Sequence, residues 1–185
     1  MPKKSWIRTL TNPSDRPFRA LSSLPELDFP QMLKTYRFSF KTLEEAARLA
    51  EYLSSFYPAP SQKRVELGLN ELFINAIEHG NLGINHSLKS QLKAANLWEE
   101  EILQRLNHPV NQHKEVNVSL DITPDYLSLK ITDQGQGFDW REFNQSHQQS
   151  PTALHGRGLM MCKELCFDQI EFSEKGNEVS CIVYL

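Results

Sequence analysis

Three short segments, far apart in the chain, each stand where one kind of regular structure gives way to another, and together they read as one site. Glu71-Leu72-Phe73-Ile74-Asn75-Ala76-Ile77-Glu78-His79-Gly80 closes a helical pattern. Asp133-Gln134-Gly135-Gln136-Gly137-Phe138 follows a strand pattern, and His155-Gly156-Arg157-Gly158-Leu159 opens another helix. A carboxylate and an amide one helical turn apart share a face and suit a hydrated metal ion. An Asp before a glycine pair can read a flat polar ligand, since glycine lets the backbone approach closely. A glycine turn entering a helix presents N–H groups to phosphate. Taken singly, each has a plain structural reading: a solvated helix face, a turn, a loop. The P-loop and the spaced dinucleotide fingerprint are both missing. Together, in this order, the segments point to a nucleotide pocket.

The rest of the pattern says what scaffold carries them. Tyr36, Phe38 and Phe40 alternate with Arg37 and Ser39, as in a half-buried strand. Thr42-Leu43-Glu44-Glu45 reads as a capping box, and the helix after it places Leu43, Ala46, Ala47, Ala50 and Leu53 on one stripe. A second helix is predicted from about Ser61 to His79. Val65, Leu69, Leu72, Phe73, Ala76 and Ile77 form its apolar face, Glu71, Asn75 and Glu78 the opposite one, and Gly80 the stop. Helical spacing from Leu88 through Leu92, Ala95, Trp98, Ile102 and Leu106 predicts an inserted helix or helical hairpin over about 85–110. Two alternating runs, Val116 to Ile122 and Leu127 to Thr132, flank Thr123-Pro124-Asp125 and form an antiparallel hairpin. A polar, glutamine-rich stretch at 139–155 is expected to be a lid. A short helix at about 158–166 and a final hairpin turning at Glu174-Lys175-Gly176-Asn177 complete the chain. This is an α+β pattern, a two-layer sandwich of a mixed, mainly antiparallel sheet with helices on one face. Residues 1–34, with five prolines and no period, read as an N-terminal arm, and 35–185 as the domain.

Composition enters mainly by exclusion. A formal charge of −3 over 185 residues offers no basic excess for nucleic acid. No apolar run reaches the roughly 18 residues of a membrane span, and no signal-peptide stretch follows the basic start, so a cytoplasmic location is expected. Cys162 and Cys166 could share a helical face near His155 as a metal site, but small buried hydrophobes are the expected role. The odd count of three cysteines gives no disulfide framework.

ATP in a protein without a P-loop needs its adenine read, its Mg²⁺ anchored and its phosphates enclosed. Asp133 can accept from the adenine amino group, and Gly135 and Gly137 allow close approach of the ring. The Asn75 side-chain oxygen suits Mg²⁺, which takes few protein ligands and keeps several waters. Glu71, one turn earlier, would stand on the γ-phosphate side, where a carboxylate can deprotonate a hydroxyl. Gly156 and Gly158 give tight entry to a helix N-terminus, and Arg157 adds a charge for phosphate.

At this point the chain resembles the Bergerat-fold (GHKL) ATPases, the superfamily of histidine kinases, gyrase-type topoisomerases and heat-shock-90 chaperones. Glu71-x-x-x-Asn75 resembles the N box, Asp133-x-Gly135-x-Gly137-Phe138 the G1 box, and Gly156-Arg157-Gly158-Leu159 the G2 box. Within the superfamily it is similar to the small anti-sigma-factor serine kinases, on Asn75-Ala76-x-x-His79-Gly80, on the G2 segment followed by Asp168, and on the terminal strand pair. The resemblance covers about residues 36–185 and implies a histidine-kinase-like ATPase fold. It makes Glu71 the catalytic base, Asn75 the Mg²⁺ ligand and Asp133 the adenine reader. His79, Gly135, Gly137, Gly156, Arg157, Gly158 and Leu159 become further nucleotide-binding positions. It implies ATP and Mg²⁺ as cofactors, with a sigma factor, an anti-sigma-factor antagonist or both as partners. A serine of the antagonist is then the phosphoacceptor. A partner phosphatase and a homodimer stay open, as do a non-catalytic, ATP-dependent sequestering module and a histidine-kinase-type catalytic domain. Asn177 stands where many relatives carry Thr after the glycine.

Overall fold

The computed structural model describes residues 34–138 and 157–185, without the side chain of Arg157. The strands are β1 (Lys34–Phe40), β2 (Val116–Ile122), β3 (Tyr126–Thr132), β4 (Gln169–Phe172) and β5 (Glu178–Tyr184). They form one sheet in the order β1-β2-β3-β5-β4, with all four pairings antiparallel. The helices are α1 (Leu43–Ser54), α2 (Ala59–Asn75), α3 (His86–Ala94), α4 (Trp98–Asn107) and α5 (Arg157–Met161). Two of them end in wider π-turns, Ala76–Asn81 after α2 and Cys162–Cys166 after α5.

Side-chain alternation fixes which face of the sheet is covered. Phe38, Val118, Leu120, Leu129, Ile131, Val179 and Cys181 are buried, whereas Asn117 and Lys130 on the other face are exposed. The register places Leu120 opposite Leu129, and Leu129 opposite Cys181, so one apolar row runs across three strands. Helices α1 and α2 cover it with Ala46, Leu49, Ala50 and Leu53, and with Val65, Leu69, Leu72 and Phe73. Ala47, expected on the buried stripe, is exposed and Leu49 takes its place. Phe40 and Phe73 join sheet to helix with ring centroids 4.7 Å apart.

The start of α1 is the capping box that its sequence suggests: Glu45 N–H donates to Thr42 Oγ1 (3.2 Å), and Thr42 N–H donates to Glu45 Oε2 (3.0 Å). The end of α2 departs from expectation. Gly80 does not stop it; the π-turn carries the helix through Asn81, and Gly83, at φ +63°, makes the break. The wider turn shifts the phase of the residues after Asn75, and α3 and α4 pack over that side. Glu78 therefore does not lie on a solvent face beside Glu71 and Asn75 but is fully buried. Its carboxylate accepts from Lys89 of α3 and from the indole N–H of Trp98 of α4. The helical spacing over 88–106 resolves into two helices because the chain turns at Asn96, at φ +56°.

Helix α5 is clamped onto α2. A Cβ on Gly68 would meet Cys166 Cβ at 2.6 Å, so only glycine allows this approach. Arg64 of α2 donates to the Cys166 carbonyl (2.9 Å) and pairs with Asp168 (3.3 Å), while Asp168 accepts from Tyr184 N–H (2.8 Å). All three cysteines are free and buried, with Cys162 donating weakly to the Gly68 carbonyl at 3.6 Å. Burial pushes the thiols of Cys162 and Cys181 well up, as suits packing residues. Among the described residues no three His, Cys, Asp or Glu side chains are placed to hold a metal by themselves, and no helix is long and apolar enough to cross a membrane.

Candidate functional site

The end of α2, the end of β3, the start of α5 and the β4–β5 turn enclose a cavity of about 260 Å³. Glu71, Asn75, His79, Asp133, Gly137, Gly158 and Leu159 all line it, so residues from all three sequence segments meet in one place. His155 and Gly156 lie outside the described residues, as does the whole of the 139–155 stretch. Arg157 begins α5, and its side chain is not described.

One end of the cavity is built around Asp133. A Cβ on Gly80 would fall 2.3 Å from the Asp133 carboxyl carbon, so the missing side chain at 80 is what lets Asp133 approach α2. Gly135 N–H donates to Asp133 Oδ1 (2.7 Å). The backbone is held from two sides: Asp133 N–H donates to the Asn177 carbonyl (3.0 Å), and Asn177 Nδ2 donates to the Asp133 carbonyl (3.1 Å). Asn81 accepts from Gln134 N–H through its side chain (2.7 Å), fixing the glycine loop to the helix end. Gly137 sits at φ +79°, and a Cβ there would come within 1.9 Å of the Lys175 carbonyl, so this loop and the β4–β5 turn press together. Burial raises the Asp133 carboxyl above its ordinary range; the Gly135 N–H and the charges of Lys175 and Lys114 oppose that shift without cancelling it.

The other end holds Glu71 and Asn75. Asn75 Nδ2 donates to Glu71 Oε1 at 3.2 Å, which leaves the amide oxygen for another partner. A Cβ on Gly158 would lie 1.8 Å from Glu71 Oε1, so the entry to α5 rests directly against this carboxylate. Between the two ends stands His79. Its Nδ1–H donates to the Ile84 carbonyl, and burial, the largest influence, lowers its pKa. The other ring nitrogen, Nε2, is buried with no hydrogen-bond partner among the described residues.

This donor set fits Mg²⁺ carried with a nucleotide: one amide oxygen beside one carboxylate, with no cage of protein ligands. The orphaned Nε2 is a second mark of a site that a polar ligand completes. Along α2 and the π-turn after it the order is Glu71, Asn75, His79, then Gly80 with Asp133, which separates the Glu71 carboxylate from the Asp133 carboxylate by about two turns.

Several wall residues have no signature in the sequence. His86 and Lys89 come from α3, Phe172 and Glu178 from β4 and β5. Phe172 meets Phe138 edge-on at 5.5 Å. Only the helical spacing of 86 and 89 could have placed these two on one face of α3.

The family described as histidine kinase-like ATPase domain matches residues 32–183. No curated protein matches the chain.

Proposed function

Since the chain belongs to the histidine kinase-like ATPase domain family and is an ATP-binding domain of the GHKL type, we propose that it is a protein serine/threonine kinase that phosphorylates an anti-sigma-factor antagonist and acts as an anti-sigma regulatory factor in the cytoplasm. The observation that supports this most is the placement of Glu71. Adenine binding needs Asp133 and metal binding needs Asn75, but a carboxylate 3.2 Å from Asn75 Nδ2, at the opposite end of the cavity from Asp133, is what phosphotransfer to a hydroxyl requires.

In this reading Asp133 accepts from the adenine amino group and sets the register of the nucleotide. Asn75 Oδ1 would hold Mg²⁺, which supplies neutralisation of phosphate charge. Glu71 takes the proton of the acceptor serine as its oxygen bonds to the γ-phosphorus, and ADP departs with the electrons of the broken P–O bond. Gly158 at the start of α5 rests against the Glu71 carboxylate, which brings this glycine turn to the phosphate end in the same reading.

The test begins with a pull-down from cell extract with and without Mg-ATP, followed by incubation of captured protein with γ-labelled ATP. Transfer of label to a serine by the wild type, and its loss in Glu71→Gln with nucleotide binding kept, supports the kinase. ATP-dependent capture with no transfer replaces it by a sequestering module.

A further inference from the structure

Helix α3 has no place in the nucleotide motifs, yet it contributes to the cavity wall. Among the lining residues whose side chains are described, Lys89 is the one lysine or arginine, whereas Glu71, Asp133 and Glu178 bring carboxylates. Its ammonium is held by Glu78. Glu78 is fully buried, Lys89 is 20% exposed at its side chain, and the two form an ion pair. Trp98 donates to the other oxygen of the same carboxylate, and Lys93 covers the Trp98 ring at 5.1 Å. A carboxylate fixed by two helices positions the cation without exhausting it, because an ammonium has three N–H donors and Glu78 takes one.

The position along α2 says what that cation would meet. Gly80 marks the end where Asp133 reads the ring, and Asn75 the end where the metal and terminal phosphates belong. His86, one turn before Lys89 on α3, packs its ring against His79 with centroids 4.2 Å apart, and all three line the cavity, so α3 meets it at the stretch between Asn75 and Gly80. Resting on the nucleotide reading above, we infer that Lys89 is a nucleotide-binding residue that contacts the phosphate chain, and that Glu78 is its positioning residue. Helix α3 is then part of the ATP site, and it makes the site prefer a nucleotide to a nucleoside.

The test is calorimetric titration of ATP and adenosine into the full chain. Lys89→Gln should weaken ATP about tenfold or more, as expected when a charged hydrogen bond is lost, and leave adenosine unchanged; Lys89→Arg should restore most of the ATP affinity. Lys89→Gln strands the buried Glu78, so the paired change Glu78→Gln with Lys89→Gln keeps a neutral hydrogen bond and removes only charge. That double variant should show the same selective loss. Unchanged ATP affinity, or an equal loss for ATP and adenosine in the double variant, overturns the assignment. Failure of the nucleotide reading itself looks different, since the wild type would then bind neither ligand.

Discussion

In the proposed function nucleotide recognition turns on Asp133, and its environment makes a testable pH signature. Replacing it by Asn should weaken adenine nucleotides about tenfold or more, the usual effect of losing a charge-assisted hydrogen bond. Burial raises its pKa, so the neutral form persists above the ordinary value of 3.8. The acceptor carboxylate forms only as pH climbs through that raised value. ATP affinity should therefore rise across the same window in the wild type and stay flat in Asp133→Asn. His79 gives the complementary sign in stability. Its folded pKa lies below the unfolded 6.5, so the unfolded chain holds more protons as the medium acidifies. Its contribution is complete above 6.5 and declines as pH falls beneath that value, which urea midpoints at several pH values will show as a slope removed by His79→Gln. The residue types at Glu71, Asn75 and Asp133 were legible because their chemistry and spacing are unusual. Lys89 was not: a lysine on a helix gives no sign that a buried carboxylate 11 residues earlier will pair with it.

At the scale of elements, two close approaches carry the site. Gly158 leaves room for Glu71, and a methyl group there would lie 1.8 Å from Oε1. Gly158→Ala should thus push the carboxylate aside and lower phosphotransfer more than it lowers adenosine binding, measured on the same preparation. The second approach is α3 and α4 against α2. Glu78→Ala removes a fully buried carboxylate that pairs with the partly buried Lys89 and accepts from Trp98, and should cost about 3 kcal/mol, which is roughly 10 °C in melting temperature at this chain length. A loss below about 1 kcal/mol in urea unfolding would contradict the burial of that pair. The capping box at Thr42 and the β2–β3 hairpin could be read directly, since both depend on residues next to one another. The π-turn after Asn75 could not. Nothing local distinguishes it from an ordinary helix end, and Gly80, which looks like a stop, is a glycine because Asp133 packs against it.

At the scale of the molecule, the hairpins were visible in alternation, but the pairing of β5 with β3 was not, because it joins segments separated by α5 and a long connection. That pairing is what makes the pocket. It puts Asn177 against Asp133 and closes the β4–β5 turn over the glycine loop. The segments could be expected to converge from their chemistry, while the walls they share with α3 and β5 follow only from the fold. In the proposed function this convergence is an Mg-ATP site, which calorimetric titration of the wild-type chain with ATP and Mg²⁺ measures. Saturable binding is expected, weakened about tenfold or more in Asp133→Ala and without its Mg²⁺ dependence in Asn75→Ala. No heat of binding by the wild type, or binding that is untouched in Asp133→Ala, would contradict it.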